Sequence, residues 1–149
     1  MTNRKVGVVG AGAVGATAAY TLSMMGVCKE IVLFDIADGV AKGKAIDMAQ
    51  ANYYSSNPTI ITAAKDAADI KDCDIVVVTA GVPRKGDMTR ADLLMINAKI
   101  IKQVVTNIKE NSPNAIIICV SNPLDVMTYV TKRITGWENN RIIGLAGAL

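Results

Sequence analysis

Two periods alternate along this chain. Short runs dominated by Val, Ile and other apolar residues, at 5–9, 30–34, 59–62, 74–79, 115–120 and 141–143, predict strands, several of them apolar enough to be buried on both faces of a sheet. Between the runs, side chains suited to a core return every three or four positions: Val14, Ala18, Leu22 and Met25; Ala41, Ala45 and Met48; Leu93, Asn97, Ile101, Val104 and Ile108; Met127, Val130 and Ile134. Each set marks the inner face of a helix. Strand and helix in repetition predict an α/β fold, a doubly wound parallel sheet of six strands in one domain.

Residues at the predicted boundaries agree with this reading. Thr89 with Asp92 three positions on has the form of a capping box, Asp38 is placed to cap the second helix, and Asn122 before Pro123 reads as cap and first helical residue. No repeat, low-complexity tract or Pro/Gly/Ser linker divides the 149 residues. Residues 144–149 are small and apolar and follow a strand without a closing helix, so the chain reads as part of a longer protein.

Composition narrows the function. With 51% hydrophobic and 19% charged residues the chain is expected to fold. A net charge of +3, with no basic stretch interleaved with aromatics, argues against a nucleic-acid partner. The uncharged stretch 6–28 follows Arg4 and Lys5 as an anchor would, but its glycines and its Thr17, Tyr20, Thr21 and Ser23 make it too polar for insertion, and no membrane partner is expected. Cys28, Cys73 and Cys119 form no CxxC pair, which predicts reduced thiols, a cytoplasmic setting and no metal site. There is no histidine, so the usual general base near neutral pH is missing.

Three segments carry candidate chemistry, each just after a predicted strand. Gly10-Ala11-Gly12-Ala13-Val14-Gly15 joins the first strand to the first helix, and Asp35 ends the next strand, 20 residues beyond Gly15. In that context the glycines allow a tight turn, close approach of a pyrophosphate and packing of helix on strand, while the acid takes ribose hydroxyls and repels a 2′-phosphate. The reading is a Rossmann site for NAD in preference to NADP. Residues 81–90, Gly81-Val82-Pro83-Arg84-Lys85-Gly86-Asp87-Met88-Thr89-Arg90, offer two arginines able to clamp carboxylates, or else a solvated basic loop. Ser121-Asn122-Pro123 follows the fifth strand; Asn122 is a helix cap by default and a donor to a substrate oxygen otherwise.

Taken together these motifs resemble the lactate/malate dehydrogenase family, specifically its lactate-dehydrogenase-like malate dehydrogenases, over residues 5–149. The resemblance implies that Gly10, Gly12, Ala13, Val14, Gly15, Asp35, Gly81, Asn97, Val120, Ser121 and Asn122 hold NAD. It further implies that Arg84 reads the distal carboxylate of a dicarboxylic 2-oxo or 2-hydroxy acid, that Asn122 binds a substrate oxygen, and that Arg90 both binds substrate and polarises the reacting carbonyl. The parent reaction would be reversible hydride transfer between NADH and oxaloacetate, in a homo-oligomer built partly through the helix at 41–51. The proton-transferring His, the Asp that orients it and a third Arg would belong to a further, C-terminal half, so the chain alone should bind NAD without turning over. Where the family usually has Pro-Gly, this chain has Gly86-Asp87, an acid placed to pair with either arginine. Two alternatives stand beside this: a lactate or other 2-hydroxy acid dehydrogenase, disfavoured because Arg84 would face a methyl group, and a stand-alone cofactor-binding or assembly module without catalysis.

Overall fold

A computed structural model describes residues 3–55, 58–84 and 86–147. Six strands, β1 (Lys5–Val9), β2 (Glu30–Phe34), β3 (Ile60–Ala63), β4 (Ile75–Val78), β5 (Ile116–Cys119) and β6 (Ile142–Gly144), form one sheet in the order β3-β2-β1-β4-β5-β6. Every neighbouring pair is parallel. The order reverses between β1 and β4, and in such sheets the crevice beyond the carboxyl ends of the two strands at the reversal is where ligands bind.

Helices α1 (Ala13–Met25), α2 (Asp38–Asn52), α3 (Arg90–Asn111) and α4 (Leu124–Thr135) supply the crossovers. One core packs Val6, Val8, Ile31 and Leu33 of the sheet against Ala19, Ala41, Ala45 and Met48. The other packs Val76, Val78 and Ile117 against Ile101, Val105, Ile108 and Met127. Alternate residues of the same strands feed both layers, which is why β1, β2 and β4 read as nearly continuous apolar runs. Full burial of each such side chain contributes about 1.5–3 kcal/mol.

Three local expectations are corrected. In α1 the inner stripe is Gly15, Ala19 and Ser23, whereas Val14 and Met25 are 59% and 65% exposed. The helix starts so close to the sheet that a Cβ on Gly15 would lie 1.9 Å from the Gly10 carbonyl oxygen, so small residues make the contact, Val14 and Met25 turn outward, and of the larger predicted residues only Leu22 packs, half-buried, against the core. The cap position of α2 is held by Ala37, not Asp38, whose side chain lies outside the described residues. Pro123, not Asn122, stands at the cap position of α4, and the Asn122–Pro123 bond is cis. The capping box of α3 forms as expected, with Thr89 accepting from the Asp92 N–H and Asp92 accepting from the Thr89 N–H. Residues 148 and 149, at the end read as interrupted, lie outside the described residues.

Candidate functional site

The turn after β1 is set by its glycines. Gly10 has φ +104°, and a Cβ there would lie 2.7 Å from the Thr79 hydroxyl and 2.8 Å from the Ala80 nitrogen, so neither conformation nor space admits a side chain. Gly12 differs, since a Cβ there would meet nothing within 4 Å. It is the cap residue of α1, and the N–H groups of Gly12, Ala13 and Val14 make no hydrogen bond among the described residues. Free amides at a helix start, with open space beside Gly12, suit an anionic group such as a pyrophosphate.

Neighbouring side chains lock this turn. The Gly10 N–H donates to the Phe34 carbonyl at 2.8 Å, joining the turn to the end of β2. Asp35 follows, and its Oδ2 accepts from the Ala11 N–H at 2.6 Å while Oδ1 accepts from the Ala37 N–H at 2.9 Å. Each carboxylate oxygen keeps acceptor capacity for a further donor such as a ribose hydroxyl. Just beyond β4, the Thr79 hydroxyl donates to the carbonyls of Gly10 at 3.0 Å and Val9 at 3.3 Å. From α2, the Lys44 ammonium donates to the Ala11 carbonyl at 2.5 Å. Thr79 and Lys44 were missed in the sequence, where one is a strand residue and the other a helical lysine without a motif.

Across the reversal point, residues 79–89 lead from β4 to α3. Gly81 (φ +154°) sits so close to Asn97 that a Cβ would meet the Asn97 amide at 3.2–3.4 Å. Asn97, 2% exposed, accepts from the Val82 N–H at 2.9 Å and donates to the carbonyls of Val82 at 3.3 Å and Asn122 at 2.7 Å. Its amide therefore ties the loop after β4 to the segment after β5. Arg84 and Arg90 are both exposed; Arg84 Nε donates to the Met88 carbonyl at 3.2 Å, and Arg90 is the first residue of α3. Asp87 pairs with neither arginine, since the one ion pair among the described residues joins Lys5 to Glu30 at 3.5 Å. An exposed acid on a loop keeps its water and gains little from such a pair. Lys85 lies outside the described residues. Two hydrogen bonds from Thr89, the hydroxyl first and then the backbone, hold the Asp92 carboxyl below its usual range at the base of this loop.

The segment after β5 divides into support and face. The Val120 N–H donates to the Val78 carbonyl at 2.9 Å, and the Ser121 hydroxyl, 5% exposed, donates to the carbonyls of Ala80 at 2.6 Å and Val78 at 3.3 Å. Asn122 is exposed, and its side-chain amide makes no hydrogen bond among the described residues. The structure thus gathers the glycine turn and Asp35 on one side of the reversal and Gly81, Asn97 and residues 120–122 on the other, with the arginines on the rim. No group of three or more His, Cys, Asp and Glu suited to a metal occurs among the described residues. No helix among them is long and apolar enough to cross a membrane.

Similarity to known proteins extends over nearly the whole chain. The sequence model of the lactate/malate dehydrogenase NAD-binding domain matches residues 4–144. A malate dehydrogenase of Sulfurimonas denitrificans is 54% identical over 146 residues, 98% of this chain and 46% of that protein. Among solved structures, the malate dehydrogenase of Archaeoglobus fulgidus in complex with NADH has a TM-score of 0.89 at 43% identity, covering 93% of this chain and 47% of that one. The lactate dehydrogenase of Cryptosporidium parvum complexed with lactic acid and nicotinamide adenine dinucleotide has a TM-score of 0.90 at 35% identity, covering 99% and 46%. The chain spans about half the length of the curated relatives it matches.

Proposed function

This chain belongs to the lactate/malate dehydrogenase family as its NAD-binding domain, and from that premise we propose that it is the cofactor-holding half of a malate dehydrogenase interconverting oxaloacetate and malate. The observation that carries the cofactor assignment is the turn itself: three free amides at Gly12, Ala13 and Val14, with open space at Gly12, beside an acid with acceptor capacity left. These residues fit a dinucleotide. Gly12, Ala13 and Val14 would face its pyrophosphate and Asp35 its adenosine ribose, while Gly81 and residues 120–122 would flank the nicotinamide. When bound, the nicotinamide supplies or accepts the hydride.

The chain's own residues do the rest on the rim. Arg84 and Arg90 present planar guanidinium groups to a dicarboxylate, Arg84 to the distal carboxylate and Arg90 to the reacting carbonyl, where it would stabilise charge developing on oxygen. The Asn122 amide, exposed and uncommitted, would donate to a substrate oxygen, and Asn97 holds Asn122 and Val82 in register. The 149 residues contain no histidine, so the proton would come from outside them. A lactate dehydrogenase is the second reading, and Arg84 weighs against it, because a guanidinium facing a methyl group is left without a partner.

Oligomer formation and location follow the same reading. We infer a homo-oligomer assembled through the outer side of α2, on which Ile46 is 49% exposed, with Tyr53 and Tyr54 just beyond the helix at 85% and 90%. Aromatic groups this exposed are enriched at protein interfaces. The cytoplasm suits three free, buried cysteines, Cys28, Cys73 and Cys119. The test of the cofactor assignment is titration of the 149-residue chain with NADH, followed by nicotinamide fluorescence and calorimetry. Saturable binding is expected, weaker than in the malate dehydrogenases it resembles, and no binding at millimolar NADH would overturn it.

A further inference from the structure

Two consecutive peptide groups of the glycine turn are gripped in different ways. The Gly10–Ala11 peptide is held at both ends, its carbonyl accepting from Thr79 Oγ1 at 3.0 Å and its N–H donating to Asp35 Oδ2 at 2.6 Å. The Ala11–Gly12 peptide is held at one end, where its carbonyl accepts from Lys44 Nζ at 2.5 Å. A trans peptide is planar, with C=O and N–H pointing in opposite directions, so fixing the carbonyl fixes where the Gly12 N–H points. That N–H is one of the three with no partner, and a side chain on Gly12 would meet nothing within 4 Å.

We propose that Lys44 is a positioning residue for the dinucleotide phosphates: it pins the Ala11 carbonyl so that the Gly12 N–H is aimed outward before the ligand arrives, and its charge polarises that peptide. Hydrogen bonds that share a peptide strengthen one another, so a cation on the carbonyl makes the N–H a better donor to an anion. Lys44 is suited to this. It is half-buried, its ammonium keeps two further donors, and no carboxylate among the described residues lies within ion-pair distance of it. Ala11 is 0% exposed, so solvent is a poor substitute partner for its carbonyl. The ammonium lies on the carbonyl side of the peptide, opposite the N–H, and therefore acts through Gly12 rather than by touching phosphate.

This inference rests on the dinucleotide reading, and its test separates the two. Wild type, Lys44→Met and Lys44→Arg are titrated with NADH and with ADP-ribose, which keeps the pyrophosphate and lacks the nicotinamide, and the Gly12 amide resonance is followed by nitrogen-15 NMR. Lys44→Met is expected to weaken both ligands about tenfold and to shrink the ligand-induced shift of the Gly12 amide, with Lys44→Arg returning affinity to within about threefold of wild type. Unchanged affinity in Lys44→Met, or a wild-type-sized Gly12 shift, would overturn the role of Lys44. Failure of wild type to bind either ligand would instead overturn the cofactor assignment. Should Lys44→Met not fold, Lys44→Gln carries the same expectations, since its shorter amide cannot bring a charge to the Ala11 carbonyl.

Discussion

Asp35 is fixed by the fold and proposed to serve the ligand as well. Each of its two oxygens accepts one backbone N–H, from Ala11 and from Ala37, so the carboxylate is fixed in direction with a lone pair left on each oxygen. Hydrogen bonds to a charged group contribute about 1.5–3 kcal/mol each, and a 2′-phosphate in the same place would meet a like charge. Asp35→Ala should therefore weaken NADH by about ten- to a hundredfold and bring NADPH close to NADH in affinity, as competitive titration of the two would show. Retained discrimination in Asp35→Ala would place the selectivity elsewhere. Asp35 was legible in the sequence because strand, glycine turn and acid stand at a fixed spacing. Lys44 and Thr79 were not legible: Lys44 meets Ala11 across 33 residues and Thr79 meets Gly10 across 69, contacts that exist only once the sheet has its order.

Among the elements, α3 couples the two loops of the candidate site. Its Asn97 was readable as a polar residue on an inward face, but its three partners could not be read, because they lie 15 and 25 residues away on segments joined by the β4–β5 pairing. Asn97→Asp keeps the acceptor for the Val82 N–H and turns a donor into an oxygen facing the carbonyls of Val82 and Asn122. A buried group left unsatisfied in this way costs about 1–3 kcal/mol, more when charged. The variant should unfold at lower urea and be cut faster by trypsin after Arg84 and Arg90. Wild-type cleavage rates at those two sites would show that the loop does not depend on Asn97. The capping box at the start of α3 adds a pH dependence of known sign: the Asp92 pKa is lowered in the fold, so its contribution is complete above the unfolded value and is lost as pH falls through the folded one. The strands were readable because β-branched runs buried on two faces leave little choice. The face of α1 was misread because its contact is governed by how near Gly15 lies to Gly10, which hydrophobic period does not report.

For the whole molecule, binding and catalysis should come apart. Everything proposed to hold the cofactor lies between Gly10 and Asn122, whereas Arg84 and Arg90 are exposed on the rim, where the attraction proposed for a dicarboxylate is screened by water and salt. A positioned acid–base group contributes roughly a hundredfold to ten-thousandfold to rate, and this chain has no histidine to act as one. Orientation of substrate against the reacting carbon can contribute about 7–11 kcal/mol more, and two arginines on an open loop do not fix a small acid in one pose. The 149-residue chain should thus bind NADH and show no oxidation of it by oxaloacetate, even at high protein concentration. A chimera that continues after residue 149 with the remaining half of the Sulfurimonas denitrificans relative should turn over, since the two proteins are 54% identical across the shared part. In that chimera Arg84→Gln should lower kcat/KM for oxaloacetate by about 3–5 kcal/mol once the ion pair is enclosed, and leave pyruvate nearly unchanged. Equal losses on both substrates would make Arg84 structural rather than selective. Turnover by the 149-residue chain alone, abolished by Arg90→Ala, would mean that the site is complete without a second half.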